Sequence, residues 1–473
     1  MKDLIPDTST IKKTQAHFAS TRNACKLCAP LGASIVYKGI KGCIPLIHGS
    51  QGCSTYIRRY LISHYKEPVD IASTNFSEEA TVFGGGKNFT VGMANVISQY
   101  KPEMVGISTT CLSETIGEDL PQLLHEFKKS YPNNDLPVLV HASTPSYQGS
   151  HIDGFHTTVN AVVKTIAKGG MPQDHLNLFP GFVSTQDLRN LKKLMDDFGL
   201  AYRMIPDYSE TLDNPTWKEY TRIPAGGVSV NEIASSGTAT ASIEFGTILG
   251  QGLLTGNMDK NAKAPSAGKY LEDTFSVKNH RMRMPVGIKA TDQFIDILKK
   301  YAGVEVPEEL TKERGRLIDA LVDGHKYVFG KKAIVYGEED FVVGLVAFLE
   351  EIGIDTVICA TGGESRRLKP EIDAVKTDPE KEILCLEGAD FEDIAEIAGE
   401  YKPDIVIGHS KGYHVSRPLK IPLVRVGFPI HDRVGGQRLQ HLFYTGAQDL
   451  FDRITNAIIE HTQDNSPVGY KYM

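Results

Sequence analysis

The chain has 473 residues, of which 41% are apolar, 8% aromatic and 23% charged. This is an ordinary globular composition, long enough for about three domains. Fifty-one Lys and Arg against 58 Asp and Glu give a net charge of -7. That balance argues against sequence-independent nucleic-acid binding, which needs a basic surface. No run approaches the ~18 apolar residues of a membrane span. The opening MKDLIPDTSTIKK lacks the apolar core of a signal peptide. A cytoplasmic protein without nucleic-acid or membrane partners is expected.

Short apolar runs alternate with amphipathic helical stretches along the chain, and the 44 glycines and 24 prolines fall mostly between them. The first block reads as strands at 43–49, 103–108 and 136–141, with helices from about Cys53, near 90–100, near 119–130 and through Ala161–Val163. The second opens with a strand at 176–182. A helix then carries Leu188, Leu191, Leu194 and Met195, followed by a strand at 202–205 and a Gly/Ser/Thr-rich loop near 225–240. The third has a helix at 307–328, strands at 331–337, 356–363, 382–386, 403–409 and 422–428, a helix over 340–352 and a closing helix over 446–462. Strands separated by helices pair in parallel through crossovers. The expected fold is therefore α/β, with three Rossmann-like doubly wound domains over 1–170, 171–290 and 291–473.

Seven cysteines are too few and too uneven for a disulfide framework, and five of them (Cys25, Cys28, Cys43, Cys53 and Cys111) fall in the first quarter. Parallel sheets bind ligands where strands run into helices. That rule selects His48-Gly49-Ser50-Gln51-Gly52-Cys53, Thr109-Thr110-Cys111-Leu112-Ser113 and Ala142-Ser143-Thr144-Pro145-Ser146. Cys28 adds a fourth position, in Cys28-Ala29-Pro30-Leu31-Gly32-Ala33. Thiolates at helix N-termini suit an iron–sulfur cluster, with Gly49, Gly52 and Phe83-Gly84-Gly85-Gly86 able to bring backbone N–H groups to its sulfides. Buried inert thiols are the plain alternative for any one of these cysteines. Zinc is another, because Cys25-Lys26-Leu27-Cys28 is a CxxC, but no second ligand pair stands at zinc-ribbon spacing. Three thiols cannot saturate a four-cysteine cluster. A cluster here therefore takes its remaining ligands from a partner chain or has an unusual arrangement.

Other features are weaker. Tyr56-Ile57-Arg58-Arg59-Tyr60 reads as a solvated or docking helix face. Gly408-His409-Ser410-Lys411-Gly412 follows a strand and suits an anion, without P-loop spacing. Asp432 and Arg433 read as an ion pair. No GxSxG elbow is present.

The segments CAPLGA (28–33), HGSQGC (48–53), YKEP (65–68), FGGG (83–86), STTCLSETIGEDL (108–120), TPSYQGSH (144–151) and RVGFPIHDR (425–433) resemble, in order and over nearly the whole chain, the β side of the nitrogenase component 1 superfamily. The resemblance implies three Rossmann-like domains and pairing with a homologous α-type chain. It also implies an iron–sulfur cluster at the subunit interface, with Cys53, Cys28 and Cys111 as metal ligands and Ser146 beside the cluster. Two branches fit. In the catalytic β branch of molybdenum–iron nitrogenase the cluster is of P-cluster type. In the NifN branch, a biosynthetic scaffold for the iron–molybdenum cofactor, it is a [4Fe-4S] cluster shared with NifE. The lead of 27 residues before Cys28, together with NACKLCAPLGA, CSTYIRRYLISHYKEPVDIAS and the SPVGYKYM tail, looks more like NifN. The resemblance thus implies an α2β2 heterotetramer with a NifE-type chain and docking of the nitrogenase iron protein. A transient iron–molybdenum cofactor precursor would be held mainly in the partner chain.

Overall fold

The computed structural model describes residues 25–131, 136–249 and 265–468. The N-terminal lead up to residue 24 and the end of the SPVGYKYM tail lie outside them.

Three parallel sheets form, one after another along the chain. The first contains β1 (Cys43–His48), β2 (Ala72–Ser73), β3 (Met104–Thr109) and β4 (Val138–Ala142), in the order β2-β1-β3-β4. The second contains β5 (Gln173–Phe179), β6 (Tyr202–Met204), β7 (Ala239–Phe245) and β8 (Lys278–Met282), in the order β6-β5-β7-β8. The third contains β9 (Lys332–Gly337), β10 (Asp355–Thr361), β11 (Leu384–Leu386), β12 (Ile405–Gly408) and β13 (Leu423–Arg425), in the order β11-β10-β9-β12-β13. β1 and β3 are buried along their whole length, because helices cover both faces of a parallel sheet. The α/β class and its three doubly wound sheets are as the alternation implied, and the expected strands lie within a few residues of the observed ones. No helix among the described residues is long and apolar enough to cross a membrane.

The stretch near 225–240 departs from the expected loop. Ser229 caps the helix Val230–Ala234, with Glu232 completing a capping box, and a 3-10 turn over Ser235–Thr238 leads into β7. β7 itself shows little apolar signal, because buried Ser242 and Glu244 interrupt it. Asn177 Nδ2 donates to Ser242 Oγ at 3.1 Å, and Glu244 receives the Gly268 N–H at 3.2 Å.

The largest apolar cluster runs from Leu27 to Ile458 and joins all three sheets. Polar latches cross the junction as well. His64 Nδ1 accepts the Ile430 N–H at 2.9 Å. Asp187 accepts the His441 and Leu442 N–H groups at 2.8 and 3.0 Å and pairs with His441 Nδ1 at 3.1 Å. Burial alone would raise Asp187, but these bonds hold its carboxyl below the usual range.

Candidate metal centre

In the first sheet the strand order reverses between β1 and β3, so their carboxyl ends open a crevice. Cys53 and Cys111 stand at this point. Both expected loops are short: Cys53 lies in the first turn of helix α2 (Gln51–Tyr65), capped by Ser50, and Cys111 opens the short helix Cys111–Thr115, capped by Thr110. Gly49 is what lets the two loops touch, since a Cβ there would sit 2.4 Å from Thr110 Oγ1.

Cys28 arrives from another direction. It is the N-cap of helix α1 (Ala29–Lys38), which crosses the helix His151–Ile166 at backbone contact. A Cβ on Gly32 would lie 1.8 Å from the His151 carbonyl oxygen, and one on Gly154 would lie 2.0 Å from that of Ala29. Leu27 is gripped by His151 twice: its carbonyl accepts the His151 N–H at 2.9 Å, and its N–H donates to His151 Nδ1 at 3.3 Å. With Nδ1 accepting, Nε2–H is left to donate to Glu338 Oε1 at 3.3 Å. His151 and Glu338 thus fix the Cys28 segment, and neither stood out in the sequence.

Ser146 closes the group. Its N–H donates to Cys111 Sγ at 3.2 Å and its hydroxyl accepts the Ala29 N–H at 3.1 Å, tying the Cys28 and Cys111 positions together. The loop carrying it is braced by Glu114, whose Oε1 receives Ser143 Oγ at 2.5 Å and Thr109 Oγ1 at 2.6 Å. The four expected site residues therefore belong to one surface. Cys28 and Cys53 are half-buried and Cys111 is exposed. Beside them Tyr56 and Tyr147 keep 42% and 58% of their surface exposed, an apolar rim suited to a second chain.

Burial and neighbouring thiols together set the charge balance of the site. Burial raises the Cys28 thiol, the Ser146 hydrogen bond lowers it and Cys111 raises it again. Burial raises Cys53 too, and Cys28 and Cys111 raise it further. Each thiolate disfavours the next, a repulsion that cationic iron reverses, while the N-termini of α1 and α2 favour the anionic form. Among the described residues no group of three or more His, Cys, Asp or Glu side chains converges closely enough for a single metal ion.

Several expected contributions fall elsewhere. The Gly49 and Gly52 N–H groups donate to Thr74 Oγ1 and Ser50 Oγ at 3.1 and 3.2 Å. The Gly85 N–H donates to Glu118 at 2.6 Å, and Glu118 in turn meets His48 Nε2 at 3.3 Å. These amides serve the fold. Cys25 and Cys43 are buried; burial drives the Cys25 thiol far up and pushes Cys43 up to about 12, so both are inert packing groups. The anion cradle expected at 408–412 is filled by Tyr336, whose hydroxyl accepts the Gly412 N–H at 3.0 Å. Asp432 takes the Ser410 hydroxyl there and pairs with Arg425 at 2.6 Å, more closely than with Arg433 at 3.6 Å. Despite burial, those bonds hold the Asp432 carboxyl down at about 2. A separate small cavity of about 30 Å³, lined by Phe182, Phe341, Phe428 and His441 among others, includes none of the three thiols.

Three parallel sheets in one chain, with Cys53 and Cys111 at the strand-order reversal of the first, define a class of α/β protein. The family described as nitrogenase component 1 type oxidoreductase matches residues 28–459, and the chain belongs to that family. It is 35% identical to the nitrogenase molybdenum-iron protein beta chain of Clostridium pasteurianum, over 93% of each chain. It is 32% identical to the corresponding chain of Azotobacter vinelandii, over 95% of this chain and 86% of that one. The solved structure of nitrogenase Cp1 at pH 6.5 superposes with a TM-score of 0.90 at 33% identity, over 98% of this chain and 99% of that chain.

Proposed function

We propose that this chain is the β-type half of a two-chain iron–sulfur protein, and that it works as a nitrogenase catalytic β subunit. The observation that carries this reading is the complete set of Cys28, Cys53, Cys111 and Ser146 on one open surface, joined through the two hydrogen bonds of Ser146. The similarity to molybdenum-iron protein beta chains along almost the whole length supports it. When bound, the cluster supplies electron storage and transfer. The chain's own residues do the rest. Cys28, Cys53 and Cys111 hold the iron, and the Ser146 N–H stabilises charge on Cys111. His151 holds the Cys28 segment in place, and the aromatic rim excludes water once an α-type chain covers it. The partners are that α-type chain and, for electron delivery, a nitrogenase iron protein.

The NifN-type scaffold is the second reading, favoured by NACKLCAPLGA and CSTYIRRYLISHYKEPVDIAS. There the same thiols hold a [4Fe-4S] cluster shared with a NifE-type chain, and the cofactor precursor sits mainly in that partner. Anaerobic purification with the co-expressed partner, followed by acetylene reduction with iron protein and reductant, separates the two. Turnover and molybdenum retained in the complex support the catalytic subunit. Iron without turnover, with release of a cofactor to an apo-nitrogenase, overturns it in favour of the scaffold.

A further inference from the structure

The two cysteines outside the first quarter form a pair of their own. Cys359 in β10 and Cys385 in β11 are direct register partners in the third sheet. Cys359 S–H points at Cys385 Sγ at 3.3 Å, and Cys385 reaches the Ile383 carbonyl at 3.6 Å. Parallel neighbours stand ~4.8 Å apart, inside the ~4.4–6.8 Å Cα span that a disulfide bridges. β11 is the edge strand, so Cys385 is half-buried and reachable, whereas Cys359 is fully buried behind it. Chemically this is an attacking thiol with a resolving thiol at its back.

We propose that Cys359 and Cys385 are a redox-active dithiol that closes to an intramolecular disulfide on reaction with a small disulfide such as oxidised glutathione. The Cys385 thiolate attacks one sulfur of the small disulfide, forms a mixed disulfide and releases one thiolate. Cys359 then gives up its proton and attacks the Cys385 sulfur, releasing the second thiolate. Two protein thiols are oxidised by two electrons and one small disulfide becomes two thiols, which take up the two protons. The contact with Cys359 lowers the Cys385 thiol against the burial that raises it, and the nearby Lys369 ammonium lowers it further.

The ends of the two strands that carry the pair contact Cys25, in the segment that leads into Cys28. Beyond β11, the Ala389 carbonyl accepts the Cys25 N–H at 3.1 Å. Beyond β10, Gly362 packs so tightly that a Cβ would sit 2.5 Å from the Cys25 carbonyl. A disulfide would therefore staple together the two strand ends that hold Cys25.

The test uses the full-length protein with its co-purifying partner, kept anaerobic, exposed to oxidised glutathione and then alkylated with iodoacetamide for peptide mass analysis. The expected result is one linked peptide pair holding Cys359 and Cys385, two hydrogens lighter, unalkylated, and restored to two free thiols by a phosphine. Cys359→Ser should leave a lasting glutathione adduct on Cys385, and Cys385→Ser should leave Cys359 reduced and adduct-free. Full alkylation of both thiols in the unmutated protein, or an adduct on Cys385 that never closes while Cys359 is present, overturns the proposal. The unmutated protein decides alone where a variant does not fold.

Discussion

At the junction of the three sheets, His64, Asp187 and His151 each find a partner far along the chain, beside the third sheet. At the carboxyl ends of β1 and β3, Cys53 and Cys111 are left facing Cys28 with the Ser146 N–H as the backbone donor to a thiol. Both regions are built from side chains that are costly to leave unpaired in a protein interior. At the junction the chain pairs those groups itself and buries them. On the thiol face it stops short, leaving Cys111 and Tyr147 exposed. The difference separates groups that stabilise one fold from groups arranged to be completed from outside.

Cys53→Ala strikes the open region hardest. It should remove most of the bound iron and sharply lower recovery of the α-type partner, while urea unfolding of the chain itself moves little. Iron and partner at unmutated levels would take Cys53 out of the ligand set. Asp187→Ala strikes the closed region: three donors lose their acceptor, and the loss should be about 3–5 kcal/mol in urea unfolding. Iron per folded complex should stay constant, because Asp187 touches none of the thiols. His151 belongs to both regions. His151→Ala should cost about 2 kcal/mol and also speed iron loss to a chelator, since Leu27 loses its grip beside Cys28. A stability loss with unchanged chelator kinetics would confine His151 to the junction.

The smallest effect is a pH slope. Burial lowers His64 to about 3 from its ordinary 6.5, and Nδ1 can accept the Ile430 N–H only while the ring is neutral. The native state therefore keeps the ring neutral while the unfolded chain protonates it. This contribution to stability is complete above pH 6.5 and is lost as pH falls from there toward about 3. His64→Phe should flatten part of that slope, read as the urea midpoint at several pH values. An unchanged slope would mean that His64 is protonated in the fold.

The sheets were legible because parallel strands buried on both faces read as continuous apolar runs, as in CIPLIH and KAIVYG. β2, β7 and β8 were not: β2 is two residues long, β8 (KNHRM) is polar, and in β7 Ser242 and Glu244 are buried polar groups paired across the second sheet and the helix Ala267–Phe275, which no local pattern announces. Cys53 and Cys111 were legible from their places beyond β1 and β3, whereas Cys28, which caps α1, lies at no strand end. The glycine amides were misread, since Thr74, Ser50 and Glu118 claim them from neighbouring loops. His151 and Glu338 were missed because they are 187 residues apart and meet only when the first and third sheets pack. The capping box Ser229–Glu232 was a readable signal inside a stretch whose small residues suggested a loop.

The central claim is that the thiol face is half of a shared site. Its most direct test is protection of Cys28, Cys53 and Cys111 from iodoacetamide, together with iron per chain, in the lone protein and in the anaerobically co-purified pair. A shared site gives three alkylatable thiols and little iron in the lone chain, and three protected thiols with bound iron in the pair. Equal labelling in both, or a full iron complement on the lone chain, would contradict it.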